Sequence, residues 1–121
     1  MANGRISDYR AEKWLGELVE GYYVGLHHDN PDVAGAYASE VFGGGYTRQV
    51  VQFTTPNNRA IFNLTALQWN GLPGVTITHL ALWDSLINGN FEASIELDLP
   101  VRVLPGRSLG YPASVLAFSL D

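Results

Sequence analysis

No cysteine occurs among the 121 residues, which excludes disulfide staples and thiolate metal sites. Lysine occurs once, at Lys13, and the other cations are the scattered Arg5, Arg10, Arg48, Arg59, Arg102 and Arg107. With a formal net charge of −5, the chain lacks the clustered basic residues that phosphate neutralisation requires, so nucleic acid is not an expected partner. No apolar run approaches the about 20 residues of a membrane helix, and no charged-then-apolar leader opens the chain, so neither a membrane nor a secretory role is expected. Charged residues make up only 16% of the sequence and glycines number 13. A surface so poor in charge is expected to face other protein.

What is present is a β pattern. From Phe91 to Val103, Phe91, Ala93, Ile95, Leu97, Leu99, Val101 and Val103 alternate with Glu92, Ser94, Glu96, Asp98, Pro100 and Arg102. Successive strand side chains point to opposite faces, so this is a ribbon with one face on a core and one in water. Pro100 lacks a ladder N–H, which makes the ribbon an edge or two strands bent at that point. Val75 to Trp83 carries apolar groups on both parities and reads as the most buried, central strand. Further strands are expected at Tyr22–His28, Tyr46–Phe53, Arg59–Leu64 and Val115–Leu120. Pro56-Asn57-Asn58, Asn70 to Gly74, Asn88-Gly89-Asn90 and Pro105-Gly106 supply turns, the third as a tight hairpin.

The one helical stretch lies near the N-terminus, with Ser7 or Asp8 as cap, Ala11, Trp14, Leu15 and Leu18 as apolar stripe, and Gly21 at its end. Asp29 to Gly45 is the longest irregular segment. The expected class is mainly β, an antiparallel β-sandwich or jelly-roll-like barrel with one short N-terminal helix. A single domain spans 1–121, comprising an arm at 1–6, the helix at 7–20 and a β body at 22–121.

Candidate chemistry is sparse. His27, His28, Asp29 and Asp32 suggest a metal cluster, but adjacent strand residues diverge and the glycine and glutamate of a calcium loop are missing, so a solvated loop entry is expected. His79 with Asp84 five residues on suggests acid–base chemistry. Ser85, Ser94 and Ser108 are not in a glycine-flanked nucleophile elbow, so a hydrogen-bonded core histidine is expected. Glu96 and Asp98 lie ~6.6 Å apart on one strand face, within glycosidase range, yet a polar outward face accounts for them and Glu92. Gly43-Gly44-Gly45 lacks the following helix and lysine of a phosphate loop and reads as a turn into a strand. Tyr22, Tyr23, Trp69, Trp83 and Tyr111 would form a sugar-stacking platform if exposed, but are expected in the core. No catalytic residue, metal or cofactor is expected.

The order of elements is distinctive. A capped helix carries Ser7-Asp8 and Ala11-Glu12. Tyr22-Tyr23-Val24-Gly25-Leu26 leads through Asn30-Pro31-Asp32 and Glu40-Val41 to Gly43-Gly44-Gly45-Tyr46-Thr47-Arg48. Thr78-His79-Leu80-Ala81-Leu82-Trp83-Asp84 is followed by Gly89-Asn90 and a closing strand to Leu120-Asp121. This resembles a family of small virion proteins of tailed bacteriophages, common in phages of actinobacteria and usually labelled tail fibre or minor tail proteins. The chain differs from that pattern in its short connection at Gly21 and in Leu99-Pro100-Val101.

The resemblance implies a non-enzymatic, multi-copy building block of a phage particle, either a tail or fibre component or a capsid decoration. It would be assembled in the host cytoplasm and held by other virion proteins and by copies of itself. Irregularity and glycine content place the expected contacts at Arg5, Ile6, Asp29, Asn30, Pro31, Asp32, Tyr37, Phe42, Gly43, Gly44 and Gly45. Two alternatives stay open: a carbohydrate-binding module for host attachment, and a small hydrolase using His79 or the carboxylate face.

Overall fold

The computed structural model describes residues 7–119. It is mainly β with antiparallel sheets, consistent with a β-sandwich. In chain order the elements are α1 (Asp8–Gly16), β1 (Tyr22–His27), α2 (Pro31–Ala34), α3 (Ala36–Ser39), β2 (Gln49–Val51), β3 (Ala60–Phe62), β4 (Leu67–Trp69), β5 (Val75–Trp83), β6 (Phe91–Val103), β7 (Leu109–Tyr111) and β8 (Ala117–Ser119). A four-stranded sheet has the order β2-β1-β5-β6, and β3-β8 and β4-β7 form two-stranded ribbons.

The central position of β5 follows from its composition. It pairs with β1 through Val24↔Leu82 and Leu26↔Leu80, and with β6 through Leu80↔Ile95 and Leu82↔Ala93. These residues share one sheet face and meet Phe53, Ile61, Leu67, Trp69 and Leu116 in a single apolar core. Burying each such leucine, isoleucine or aromatic contributes about 1.5–3 kcal/mol. Edge-to-face contacts of Phe53 with Phe118 and of Trp69 with Tyr111, at 5.6 and 6.3 Å between centroids, tie the ribbons to this core.

Pro100 sits on an edge strand that is also bent. The register passes from Ile77↔Val101 to His79↔Glu96, so Leu97 to Pro100 bulge from the ladder opposite Thr78. The proline therefore interrupts no pairing, and the bulge with outward Glu92, Glu96 and Asp98 blunts a long open edge.

α1 begins at Ser7, whose hydroxyl accepts from the Arg10 N–H at 3.1 Å. It ends at Gly16 rather than Glu20, because Leu18 and Val19 donate to carbonyls three residues back, tightening the turn. Ala11 and Leu15 are buried, but Trp14 is 43% exposed. A two-turn helix presents only a narrow stripe to the core, and Trp14 falls outside it.

The irregular segment is corrected too: Asn30 caps α2 by accepting from the Asp32 N–H at 2.9 Å, and α3 follows. Among the described residues the expected single helix is thus one of three. Two ends of the segment are pinned. His28 N–H donates to the Ser39 carbonyl, and Gly45 N–H donates to the Gly71 carbonyl at 2.7 Å. A Cβ at Gly44 would lie 2.6 Å from that same carbonyl oxygen, so only glycine allows the approach.

β2 is shorter than the Tyr46–Phe53 pattern suggests, and β4 and β7 lie where the sequence shows no strand pattern. The β5–β6 connection is no tight hairpin; it takes all of Asp84 to Asn90. Asn63, fully buried, joins the segment after β3 to the one before β8. Its side chain donates to the Thr65 and Pro112 carbonyls, both at 2.9 Å, and accepts from Val115 and Leu116 N–H at 3.0 and 2.8 Å.

Candidate functional site

The second face of the four-stranded sheet carries Tyr23, Gly25 and His27 from β1 opposite Trp83, Ala81 and His79 from β5. Water does not cover this face at Gly25, His27, Ala81 and Trp83, which are all buried. The chain after β1 folds back over it and supplies Tyr37, Glu40, Tyr46 and Arg48.

Arg48 is the centre. Its Nε donates to Glu40 Oε2 at 2.8 Å and its Nη2 to Glu40 Oε1 at 2.9 Å, a bidentate pair. Nη1 donates to the carbonyls of Ser85 and Asn88 at 2.8 and 2.6 Å, and the guanidinium carbon lies 3.7 Å from the Trp83 ring centroid. Tyr46 donates to Glu40 Oε2 at 2.5 Å and accepts from the Leu26 N–H at 3.1 Å. Burial, then the bond to Glu40, push the Tyr46 hydroxyl above its ordinary pKa. Gly25 makes this arrangement possible: a Cβ there would lie 2.9 Å from both Glu40 Oε2 and the Tyr46 hydroxyl.

A second chain of bonds lies alongside. The Trp83 indole N–H donates to His27 Nε2 at 3.3 Å, leaving Nδ1–H to donate to Ser39 Oγ at 2.9 Å. Ser39 in turn donates to the Ala36 carbonyl at 3.4 Å. The His27 and Trp83 rings stack at 5.9 Å. Burial brings the His27 pKa down to about 4, so the ring is neutral near pH 7. The expectation that His27 and His28 form a solvated loop entry is corrected for His27. Adjacent strand residues face opposite ways, and His27 has no exposure while His28 is exposed.

These bonds hold the loop Asp84–Asn90 from beneath. Asp84 fixes it at its base, accepting from the Asn90 backbone and side chain at 2.7 and 2.9 Å, contacts that keep its carboxyl below the usual range. Tyr37 donates from its hydroxyl to the Gly89 carbonyl, and its ring lies 5.1 Å from Trp83. The loop tip then projects Leu86 and Ile87, 44% and 71% exposed, toward Phe42, which is 85% exposed. Between them opens a cavity of about 440 Å³ whose walls include Tyr37, Phe42, Leu86 and Ile87 and whose floor includes Glu40 and Arg48.

Of the expected contact residues, Tyr37, Phe42 and Gly43 line this cavity. Asp29 and Asp32 are exposed, Pro31 is buried, and Asn30, Gly44 and Gly45 shape the backbone. Arg5 and Ile6 lie outside the described residues. Sequence reasoning missed Glu40 and Arg48 as a pair, and Leu86 and Ile87 as the opposite rim. His79 is buried, with Nδ1 2.8 Å from Thr78 Oγ1. Ser85 Oγ donates to the Ile87 carbonyl and Ser108 Oγ to Asn70 Oδ1, at 2.8 and 2.9 Å. Trp69 and Trp83 are wholly buried and form no platform. Among the described residues, no group of three or more histidine or carboxylate side chains is arranged to hold a metal ion.

The arrangement is thus a polar network whose hydrogen bonds are directed inward, beneath a fixed apolar rim that is exposed. That division suits recognition by shape. No curated protein matches the chain. The model of the family described as podophage GP4 fiber I protein gp80 matches residues 5–119, and the chain belongs to that family.

Proposed function

We propose that this protein is a non-enzymatic structural component of the tail-fibre apparatus of a phage particle. It is present in many copies and acts through protein–protein contacts made by the segment Asp29–Gly45 together with the loop Asp84–Asn90. Membership of a phage fibre family supports a virion structural role, and among the described residues no helix is long and apolar enough to cross a membrane. The whole chain acts as one unit, with Arg5 and Ile6 in an N-terminal contact arm. Capsid decoration is the less favoured placement, since the matching family is named for a fibre.

The observation that carries the reading is the exposed rim of Phe42 and Ile87 over a floor whose polar groups bond one another. Exposed aromatic and aliphatic anchors around a concave surface are the anatomy of a contact hot spot. Replacing both by serine leaves the core untouched, so the chain keeps its fold. In a complementation assay we expect such particles to lack it; normal incorporation would overturn the assignment.

A second reading, host-glycan attachment, draws on the same Tyr37 and Phe42 rings beside a cavity. Binding of the purified chain on a glycan array, lost in Phe42→Ser, would favour it. Activity lost in His79→Ala with the fold retained would instead favour a hydrolase.

A further inference from the structure

An asparagine followed by glycine is a reactive pair, because the glycine nitrogen has no neighbouring Cβ to shield it from the asparagine side chain. The described residues hold two such pairs, Asn70-Gly71 and Asn88-Gly89, and the fold treats them differently. At Asn70 the carboxamide is pinned. Its Oδ1 accepts from Gln68 Nε2 at 2.8 Å and from Ser108 Oγ at 2.9 Å.

At Asn88 the side chain is exposed at the lip of the cavity, and it is the main-chain carbonyl that is held, by Arg48 Nη1 at 2.6 Å. That carbonyl and the Gly89 N–H belong to one peptide group. The guanidinium therefore sits on the oxygen that takes up charge when the nitrogen loses its proton, and a charge-assisted bond stabilises that anion more than the neutral amide. Glu40 and the Trp83 ring hold Arg48 in this position beforehand. The carboxylate of the same loop, Asp84, is engaged by the Asn90 backbone and side chain. Glycine at 89 is itself required, since φ is +79° and a Cβ would lie 2.5 Å from Asp84 Oδ1. The turn demands the residue that leaves the nitrogen open.

We propose that Asn88 is a site of self-modification promoted by Arg48. Hydroxide removes the Gly89 amide proton, and the nitrogen attacks Asn88 Cγ. The N–Cγ bond forms, the Cγ–Nδ2 bond breaks, and Nδ2 takes a proton from water and leaves as ammonia, regenerating hydroxide. Water then adds to the cyclic imide and breaks one of its C–N bonds. The product is aspartate, or isoaspartate with the main chain running through Cβ and Cγ. Either product adds a negative charge at the cavity lip beside the Glu40–Arg48 pair, and isoaspartate also lengthens the main chain between Ile87 and Gly89. The rim of Leu86 and Ile87 is thus altered irreversibly as the protein ages. This goes beyond the proposed function and does not depend on it.

The purified chain is aged at mildly alkaline pH, folded and in denaturant. Conversion at each asparagine is followed by peptide mass spectrometry with fragmentation that separates aspartate from isoaspartate. In denaturant both pairs lose their surroundings and are expected to convert at comparable rates. In the folded chain Asn88 is expected to outpace Asn70 by ~10-fold or more, the effect of one charge-assisted bond on the developing anion. A folded ratio no greater than the ratio in denaturant would overturn the proposal.

Pinning of Asn70 alone would also raise that ratio, so two further measurements isolate Arg48. The pair Glu40→Leu with Arg48→Met removes the cation and its partner together, and conversion at Asn88 is expected to fall by ~10-fold. Unchanged or faster conversion in a folded variant means that Arg48 does not promote the reaction. Base-catalysed exchange of the Gly89 N–H passes through the same anion and is read by NMR on wild type, whatever the variant's stability. It is expected to be faster than exchange of the Gly71 N–H; exchange no faster than at Gly71 counts against the proposal.

Discussion

Arg48 stacks its guanidinium on Trp83, 3.7 Å from the ring centroid, while holding Glu40 through two parallel hydrogen bonds. Stacking orients the plane, the bidentate pair fixes it within that plane, and the remaining nitrogen holds two carbonyls of the loop that bears Leu86 and Ile87. One side chain thereby joins the sheet, the fold-back segment and the exposed rim.

Arg48→Lys keeps the charge and loses the planar fork and the stack. We expect a loss of about 2–4 kcal/mol by chemical denaturation. Glu40→Gln strands a buried cation and is expected to cost about 3–5 kcal/mol. The pair Glu40→Leu with Arg48→Met is expected to be less destabilised than the sum of the single changes. Additive losses would mean that the two residues do not act together.

His27 gives a pH dependence. Its folded pKa of about 4 lies below the ordinary 6.5, so the unfolded chain takes up the proton first. Stability is full above about pH 6.5 and falls by roughly 3 kcal/mol as pH drops to about 4. Titrating carboxylates also contribute over this range, so the comparison is between wild type and His27→Gln. The variant is expected to show the shallower loss between pH 6.5 and 5 in denaturation series; equal slopes would contradict a buried neutral imidazole.

Asn63 satisfies both of its side-chain groups with main-chain partners from Thr65 and the segment Pro112–Leu116. Asn63→Ala is expected to cost about 2–4 kcal/mol. It should also speed amide exchange at Val115 and Leu116 ahead of β5. Unchanged exchange at those two amides would remove Asn63 as the clamp.

The long strands were legible because alternation over Phe91–Val103 and two-sided apolarity over Val75–Trp83 need many residues to form a pattern. β4 and β7, three residues each, are too short to show one. The apolar spacing of α1 correctly named Ala11 and Leu15, but spacing alone does not say how wide a stripe the core accepts, hence Trp14. Glycine content and irregularity pointed to Tyr37 and Phe42, which the fold places in the lining of the cavity. The rim opposite, Leu86 and Ile87, sits in a connection with no periodicity. The Glu40–Arg48 pair depends on a fold-back over a third strand, a relation no local pattern encodes.

The function proposed for this protein is that of a multi-copy fibre component that works by fitting against its neighbours. Quantitative mass spectrometry of purified particles, with antibody-labelled imaging of the same preparation, tests it most directly. The account predicts several copies per particle, with label on the tail-fibre apparatus. A chain absent from purified particles, or label confined to the capsid shell, would contradict it.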